Sequence, residues 1–417
     1  MAATPLLTRR TCLLAAMEST YGTAPAFSAS TDAILADNVM PSVDVRVLER
    51  SFYRNDISPL AIVAGRKLAR LRFATELRGN GLVQSGLLSD APIITRLFRA
   101  CGYAATAMGS AAAGTVQEIN APTNAVAVSW ATGGSATVTE PKTYTIEITT
   151  GGATTVARAK ITCDDGTAAQ TNLTVTSGAS PLSLGTSGVT VQPTWTGSLV
   201  LAQRWQITVF PKGVKLLPVS TGFESIAFQI SMDGTQQVFT GCFGTFRLAA
   251  EAGSYGRIEW DFMGIYNGPT DTAMPTPTYE TALPVQFELG RLQLSEYTPA
   301  FRAISFDQNN QIVVRDDANS ANGYIGVRIA SRAPQGGIDP EADLVANYDF
   351  WSMLSAASKM RLHFRVGTTA GNTVLFIAPQ VQYSGLTYAD RNGIRTYDAG
   401  LRFARLNGDD EAAFYFV

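Results

Sequence analysis

Residues 226–266 read IAFQISMDGTQQVFTGCFGTFRLAAEAGSYGRIEWDFMGIY. Apolar and polar residues alternate over 226–232, which is the period of a half-buried β-strand. Asp233-Gly234 then supplies a two-residue hairpin turn, because both residues tolerate positive φ. The return strand is predicted over 237–251. The stretch therefore predicts a mainly β protein with a hairpin at its centre.

The next turn joins two strands that share one polar face. Gly253 to Gly256 forms this turn, and the following strand is predicted over 257–266. The apolar side of the pair carries Phe246, Leu248, Ile258, Trp260 and Phe262, and the polar side carries Arg247, Glu259 and Asp261. Two successive hairpins with one polar face are typical of a barrel wall with a wet interior.

A strand and a helix are predicted upstream of this stretch. Residues 66–78 alternate, which places Leu71 and Phe73 opposite Arg70 and Arg72. A helix follows, and its predicted N-cap, first-turn proline and C-terminal stop are Asp90, Pro92 and Gly102.

The N-terminal residues 1–60 show few periodic apolar positions, so they are predicted to form an extended arm joined to the core. Charged residues cluster near the end of this arm, either as a solvated strand face or as contacts with an adjacent subunit. They are Arg46, Glu49, Arg50 and Arg54.

Residues 108–215 are rich in Thr, Gly, Ala and Ser and poor in charge. Short strand-like segments recur there between glycine turns, which predicts a small immunoglobulin-like β-sandwich. Its predicted core residues are Trp130, Trp195 and Trp205. The segment is predicted to be inserted into a core that comprises residues 61–107 and 216–417.

Further elements are predicted downstream. Residues 274–277 form a proline-rich loop, and a second helix is predicted within 338–354. Strands are predicted over 285–294, 301–306, 324–330, 360–366, 372–383 and 394–416, the last with a turn at Asn407-Gly408.

Composition argues against tight binding of nucleic acid, because proteins that grip phosphates usually carry a basic excess and the net charge here is −2. Charged residues make up only 16%, as expected where neighbouring subunits cover the surface. The four cysteines lie far apart, without metal-ligand spacing. Only a short apolar run follows Arg9-Arg10, so neither a signal peptide nor a membrane helix is predicted, and synthesis in the cytoplasm is expected.

No group of residues predicts catalysis, a cofactor or a metal site. The single histidine, His363, shares a strand face with Arg361 and Arg365, and no Gly-x-Ser-x-Gly elbow occurs. Adjacent carboxylates on a strand point apart, so they make poor catalytic pairs; these are Asp164-Asp165, Asp316-Asp317 and Asp409-Asp410. The chain is therefore expected not to be an enzyme.

Motifs in the last hundred residues carry a family resemblance. They are Asp316-Asp317, Arg332-Ala333-Pro334, Ile338-Asp339-Pro340-Glu341-Ala342 and Asp390-Arg391-Asn392-Gly393-Ile394-Arg395. In this order and spacing they resemble the tail tube protein, or major tail protein, of long-tailed bacteriophages of the siphovirus type. The resemblance covers residues 1–107 and 216–417.

The resemblance implies a hexameric ring in which the hairpins of each subunit join one continuous β-barrel. Rings would stack into a hollow tube of the virion tail, which conducts viral DNA into the host without binding it tightly. The implied partners are further copies of the chain and the terminator, tape measure and distal tail proteins. Assembly in the host cytoplasm, away from any membrane, and an outer location for the 108–215 module are also expected.

Two sets of functional residues follow from this resemblance. Side chains that face the lumen should be polar and repel phosphate, so a net-negative lumen is expected. The candidates are Gln229, Glu251, Glu259 and Asp261, with Arg247 as a local exception. The candidates for contacts between subunits or rings are Arg46, Glu49, Arg50, Arg54, Asp316, Asp317 and Arg391.

Two other classes of protein fit parts of the sequence. An outer-membrane porin agrees with the many alternating strands and the aromatic ending Phe414-Tyr415-Phe416, although the cysteines, the helices and the lack of a signal peptide disagree. The predicted sandwich at 108–215 suggests a carbohydrate-binding or adhesive protein. The alternative is that this sandwich is a surface module that binds no ligand.

Overall fold

The computed structural model describes residues 6–82, 85, 87–166, 170–320 and 322–417. The fold is mainly β, as the sequence predicts. Within these ranges the helices are α1 (Ile94–Ala100) and α2 (Phe350–Ser355), with 3-10 turns at Leu88–Asp90 and Gly185–Ser187. Neither α-helix has the length and apolar character needed to cross a membrane.

The N-terminal part of the chain contributes strands to one large sheet. These strands are β1 (Thr11–Met17), β2 (Ala33–Ile34), β3 (Asp37–Leu48), β4 (Val63–Glu76) and β5 (Tyr103–Met108). Within the predicted arm, β1 is buried, because it pairs with a core strand and places Leu13 and Ala15 in the main apolar cluster. Strand β3 and the segment after it are mostly exposed, as are residues 6–10.

Strands between residues 112 and 210 form two separate sheets. They are β6 (Ala112–Ala113), β7 (Gln117–Asn120), β8 (Ser129–Gly134), β9 (Lys142–Thr150), β10 (Arg158–Cys163), β11 (Gln170–Thr174), β12 (Leu182–Ser183), β13 (Val189–Thr194) and β14 (Arg204–Phe210). The two sheets enclose their own apolar cluster, in which Trp195 and Trp205 are buried and Trp130 packs against Trp205 at 5.2 Å between ring centroids.

The chain then returns to the large sheet. Its strands are β15 (Gly213–Pro218), β16 (Ile226–Met232), β17 (Thr235–Glu251), β18 (Arg257–Asp271), β19 (Gln293–Leu294), β20 (Phe301–Asp307), β23 (Gln335–Pro340), β24 (Met360–Val366), β25 (Val374–Arg391), β26 (Ile394–Ala404) and β27 (Ala413–Phe416). A separate hairpin of β21 (Asn310–Asp316) and β22 (Tyr324–Arg332) lies between β20 and β23.

Neighbouring strands in the large sheet follow the order β2-β1-β16-β17-β20-β23-β26-β25-β27-β15-β5. Strand β17 also pairs with β18, which continues through β4 to β3, and β25 also pairs with β24, which continues to β19. No sheet closes on itself among the described residues.

The predicted central hairpin is confirmed. Met232 pairs with Thr235, and the two turn residues have positive φ, 42° at Asp233 and 102° at Gly234. Alternation along β17 and β18 then buries aromatic residues against α1, whose Phe98 lies 4.8 Å from Phe246 between ring centroids. The apolar face of the hairpins thus becomes the main core.

The predicted helix start at Asp90 is wrong. Ala91 precedes Pro92 and is extended, with ψ of 141°, because a proline disfavours the α conformation in the residue before it. The α-helix therefore begins at Ile94, after Ile93, and lacks a side-chain cap. Gly102 ends it as predicted, with φ of 87°.

One downstream prediction needs correction, and the second helix predicted within 338–354 is confirmed, although it occupies only the end of that segment. Only Gln293–Leu294 of the predicted 285–294 strand is a strand, because positive φ at Leu289 and Arg291 interrupts the extended backbone. Ile338 lies in β23 and not in a helix, because this segment pairs with both β20 and β26. The second helix begins only after Asp349, whose side chain accepts the backbone N–H of Ser352 at 3.0 Å.

Candidate functional site

Charged side chains of β4, β18, β17 and β20 lie on the side of the large sheet that faces away from the main apolar cluster. Alternation along β17 buries Phe246 and Leu248 and leaves Arg247 exposed between them. Register places Arg247 opposite Glu259 of β18. We call this surface the polar face; it comprises Arg70, Arg72, Thr245, Arg247, Glu251, Glu259, Asp261 and Asp307.

Asp261 is the centre of one ion-pair network on the polar face. Its carboxylate accepts hydrogen bonds from Nε of Arg70 at 3.0 Å and from Nε of Arg72 at 3.0 Å. The terminal nitrogen Nη2 of Arg70 adds a second contact at 3.1 Å. Two arginines thus neutralise Asp261, one of the three carboxylates predicted to face the lumen.

A second network joins β17 to β20. Arg247 donates to one carboxylate oxygen of Asp307 at 2.8 and 3.2 Å, and this hydrogen bonding raises the pKa of the Arg247 guanidinium. Glu251 lies 3.5 Å from Arg302, which also contacts Asp339 at 3.2 Å. The polar face is therefore a surface of paired, mixed charges.

Four of the lumen candidates fall together on this face, and one lies apart. Arg247, Glu251, Glu259 and Asp261 share the face, whereas Gln229 is half-buried on β16 and donates to Ser231 at 3.4 Å. The arginine partners of Asp261 were not predicted as members of this set. Alternation in 66–78 marked Arg70 and Arg72 as polar, but only the pairing of β4 with β18 shows that they meet Asp261.

The candidate contact residues Arg46, Glu49, Arg50 and Arg54 lie on the end of β3 and on the connection that follows it. This connection, the 49–62 loop, is exposed and carries unusually exposed apolar side chains. Their exposed fractions are 67% for Phe52, 108% for Tyr53, 105% for Ile57 and 62% for Ile62. Exposed apolar side chains of this kind are typical of surfaces that contact another molecule.

The other contact candidates lie in two places. Asp316 at the end of β21 forms an ion pair with Arg66 of β4, and Asp317 accepts the backbone N–H of Asn319 in the following turn. Arg391 lies at the tip of the β25–β26 hairpin, 3.4 Å from Glu341. The structure therefore does not bring all candidate contacts together.

Two long stretches of strand edge in the large sheet have no pairing partner among the described residues, in addition to the outer edges of the shorter strands β2, β5 and β19. Strand β3 pairs only with β4, so its outer edge is open. On one edge, β25 pairs with β24 over 374–381, and the same edge is open over 382–391. Open edges present backbone donors and acceptors that can pair with another chain.

A buried polar junction joins β24 to the 112–210 sheets, and the sequence analysis missed its burial. Arg361 donates to Gln206 at 2.9 Å and to Thr208 at 2.7 Å. Arg365 donates to Glu140 at 2.8 Å. The imidazole of His363 lies between them, buried, with neither nitrogen hydrogen-bonded to a described residue. Burial, and then the Arg361 charge, hold the pKa of His363 well below its usual value.

The side chains of Cys163, Asp164 and Asp165 approach one another closely enough to bind a metal ion. Cations of the protein already contact both carboxylates, since Lys142 lies 2.9 Å from Asp165 and Arg291 lies 3.7 Å from Asp164. Burial raises the pKa of the Cys163 thiol to about 12, which disfavours the thiolate that a metal needs. Ion pairs with Lys142 and Arg291 thus explain why these acidic side chains lie together in a buried place.

Comparisons with known proteins give one family. No curated protein matches the chain. A family model described as phage tail tube protein matches residues 8–399, and the chain therefore belongs to the family of structural proteins that form the tail tube of the bacteriophage virion.

Proposed function

We propose that copies of this chain join edge to edge into rings, and that the rings stack into a hollow tube through which viral DNA passes. The observation that carries the proposal is the pair of open edges, β3 and residues 382–391 of β25, at opposite ends of one continuous run of strands. A head-to-tail contact between two different edges closes into a ring when the rotation allows it. Ring closure would give hydrogen-bond partners to the unpaired backbone N–H and C=O groups of both edges.

The polar face suits the lumen of such a ring, with Arg247, Glu251, Glu259 and Asp261 as its proposed lining. Its arginines are already paired with carboxylates, as Arg247 is with Asp307. Paired guanidinium groups neutralise fewer DNA phosphates, so they add little affinity and DNA can slide. The proposed lumen is therefore weakly adhesive to DNA, and its expected net-negative potential rests on Glu259, which forms no ion pair with a described residue.

The 49–62 loop is proposed to contact the adjacent ring. Tyr53 and Ile57 are fully exposed in the isolated chain, and stacking would remove their apolar surface from water at roughly 25 cal/mol per Å². The charged residues Arg46, Glu49, Arg50 and Arg54 surround them and would fix the register of the contact. Asp316, Asp317 and Arg391 are proposed to add contacts between subunits.

Residues 108–215 are proposed to be an immunoglobulin-like module on the outside of the tube. Their separate sheets and apolar cluster support a module with its own core. The remaining partners are proposed to be the terminator, tape measure and distal tail proteins, with assembly in the host cytoplasm. No catalytic step is proposed, in keeping with a family of structural proteins.

Negative-stain electron microscopy of the purified chain tests this proposal. We expect stacked annuli with a central bore, and a uniformly monomeric particle would contradict it. Ile57→Asp combined with Tyr53→Asp is expected to give single rings without stacks, because charges replace the apolar contact. Leu201→Asp is the matched control, since Leu201 is also exposed, at 59%, but lies outside the loop.

A further inference from the structure

We propose that one chain contains two tube-forming units and that three chains, not six, close each ring. The inference rests on the proposed ring and deepens it, because it assigns the number of copies and the strands at each junction. The strand pairings of the large sheet carry it.

The large sheet contains the same arrangement of six strands twice. In the first unit the neighbours run β1-β16-β17-β18-β4-β3, and every pairing is antiparallel. In the second unit they run β19-β24-β25-β26-β23-β20, again antiparallel throughout. Strand by strand, the two units occupy matching positions.

The order along the chain matches as well. Each unit begins with a strand (β1 or β19), continues with a pair (β3 and β4, or β20 and β23) and then has a helix (α1 or α2). Each ends with a strand that leads into a long hairpin, β16 into β17–β18 or β24 into β25–β26. Six strands and a helix that agree in both chain order and sheet order indicate an internal duplication.

The differences between the units are insertions at defined points. The first unit has the short strand β2 between β1 and β3, and it has β5, the 112–210 sheets and β15 between its helix and β16. Gly213 of β15 pairs with Met108 of β5, so the inserted segment leaves and re-enters the unit at adjacent residues. The second unit has the β21–β22 hairpin between β20 and β23.

The chain itself shows how two units join. One edge of β17 pairs with β16 over 235–242 and then with β20 of the second unit over 247–251. The matching edge of β25 pairs with β24 over 374–381 and is then open over 382–391. Since β20 corresponds to β3, the open edge of β25 fits the open edge of β3 in a second copy.

At this internal junction one side of the sheet belongs to the polar face and the other side belongs to the main apolar core. Arg247 pairs with Asp307 across it, while Leu248 lies opposite Phe306 within the core. Each chain therefore supplies eight consecutive strands to the wall, β3-β4-β18-β17-β20-β23-β26-β25. If a ring needs six units, as the hexamer implied by the family resemblance does, three chains complete it.

The number of outer modules distinguishes a ring of three chains from a ring of six, because only the first unit carries the 112–210 sheets. A ring of three chains has six similar wall segments but three modules. A ring of six chains has twelve wall segments and six modules.

Native mass spectrometry of single rings, combined with end-on electron-microscopy averages of tubes formed by the full chain, tests this directly. We expect a ring mass of three times 44.4 kDa and three outer protrusions. Rings of six chains with six protrusions would overturn the three-chain ring and leave the proposed tube intact. The absence of any ring or tube would overturn both.

Discussion

Strands β4 and β24 look alike in sequence and have opposite surroundings. Each alternates apolar residues with arginines, Arg70 and Arg72 in β4 and Arg361 and Arg365 in β24. In β4 the side chains of Arg70 and Arg72 are 44% and 54% exposed, and both contact Asp261. In β24 both arginines are buried and bind residues that lie more than 150 positions earlier.

The comparison shows that alternation decides which side chains share a face, but not whether that face meets water. The face of β4 stays open, so its ion pairs are screened by solvent and contribute little to stability. The face of β24 is covered by β14 and its neighbours, so its hydrogen bonds are costly to break. Three substitutions test this difference.

The largest effect is expected for Arg361→Met. The change removes two buried hydrogen bonds from a charged donor: Gln206 Oε1 loses its donor, and Thr208 keeps only its bond with Thr143 at 3.0 Å. Hydrogen bonds to charged groups contribute about 1.5–3 kcal/mol each. We expect the free energy of unfolding to fall by about 2–4 kcal/mol in denaturant titrations. Arg402→Met, on the exposed side of β26, is the matched control and is expected to change it by less than about 0.5 kcal/mol.

The second-largest effect is expected from His363, which should lower the free energy of unfolding at acid pH. Its folded pKa is lowered, so below the unfolded value near 6.5 the unfolded chain binds a proton that the folded chain does not. The contribution of His363 to stability is therefore lost as pH falls below about 6.5, by up to about 1.4 kcal/mol per pH unit.

His363→Phe measures this contribution, because the chain has one histidine and the other titrating groups are common to both proteins. Relative to wild type, the variant is expected to gain at most about 2 kcal/mol in unfolding free energy between pH 6.5 and pH 5, since about 1.4 kcal/mol per unit is the limiting slope. A difference between the two proteins that does not vary with pH would show that water reaches the imidazole.

The smallest effect is expected for Arg72→Gln on the polar face. Asp261 keeps its contacts with Arg70, and exposed ion pairs contribute about 0–1 kcal/mol. Thermal unfolding should therefore be nearly unchanged. A loss as large as that of Arg361→Met would mean that the two faces do not differ in the way described here.

Local patterns in the sequence predicted much of the fold. The Asp233-Gly234 turn and strand β24 were predicted correctly, because turn chemistry and alternation are local properties. The predicted helix start was wrong because Pro92 disfavours the α conformation at Ala91, and this effect outweighs the capping preference of Asp90.

Features that depend on distant residues could not be predicted in this way. The burial of Arg361, His363 and Arg365 comes from β14 and the segment before β9, far along the chain. The meeting of Arg72 with Asp261 depends on the pairing of β4 with β18. The duplication depends on the neighbour order of twelve strands, which no local pattern contains.

Amide hydrogen exchange on the chain before and after assembly tests the central claim, that open strand edges are completed by further copies. We expect the outward-facing amides of β3 and of residues 382–391, which are not bonded to β4 or β26, to exchange fast in the isolated chain and to become protected in tubes. Amides of 247–251, already paired with β20, should be protected in both states. Equal exchange of the two open edges before and after assembly would contradict the account.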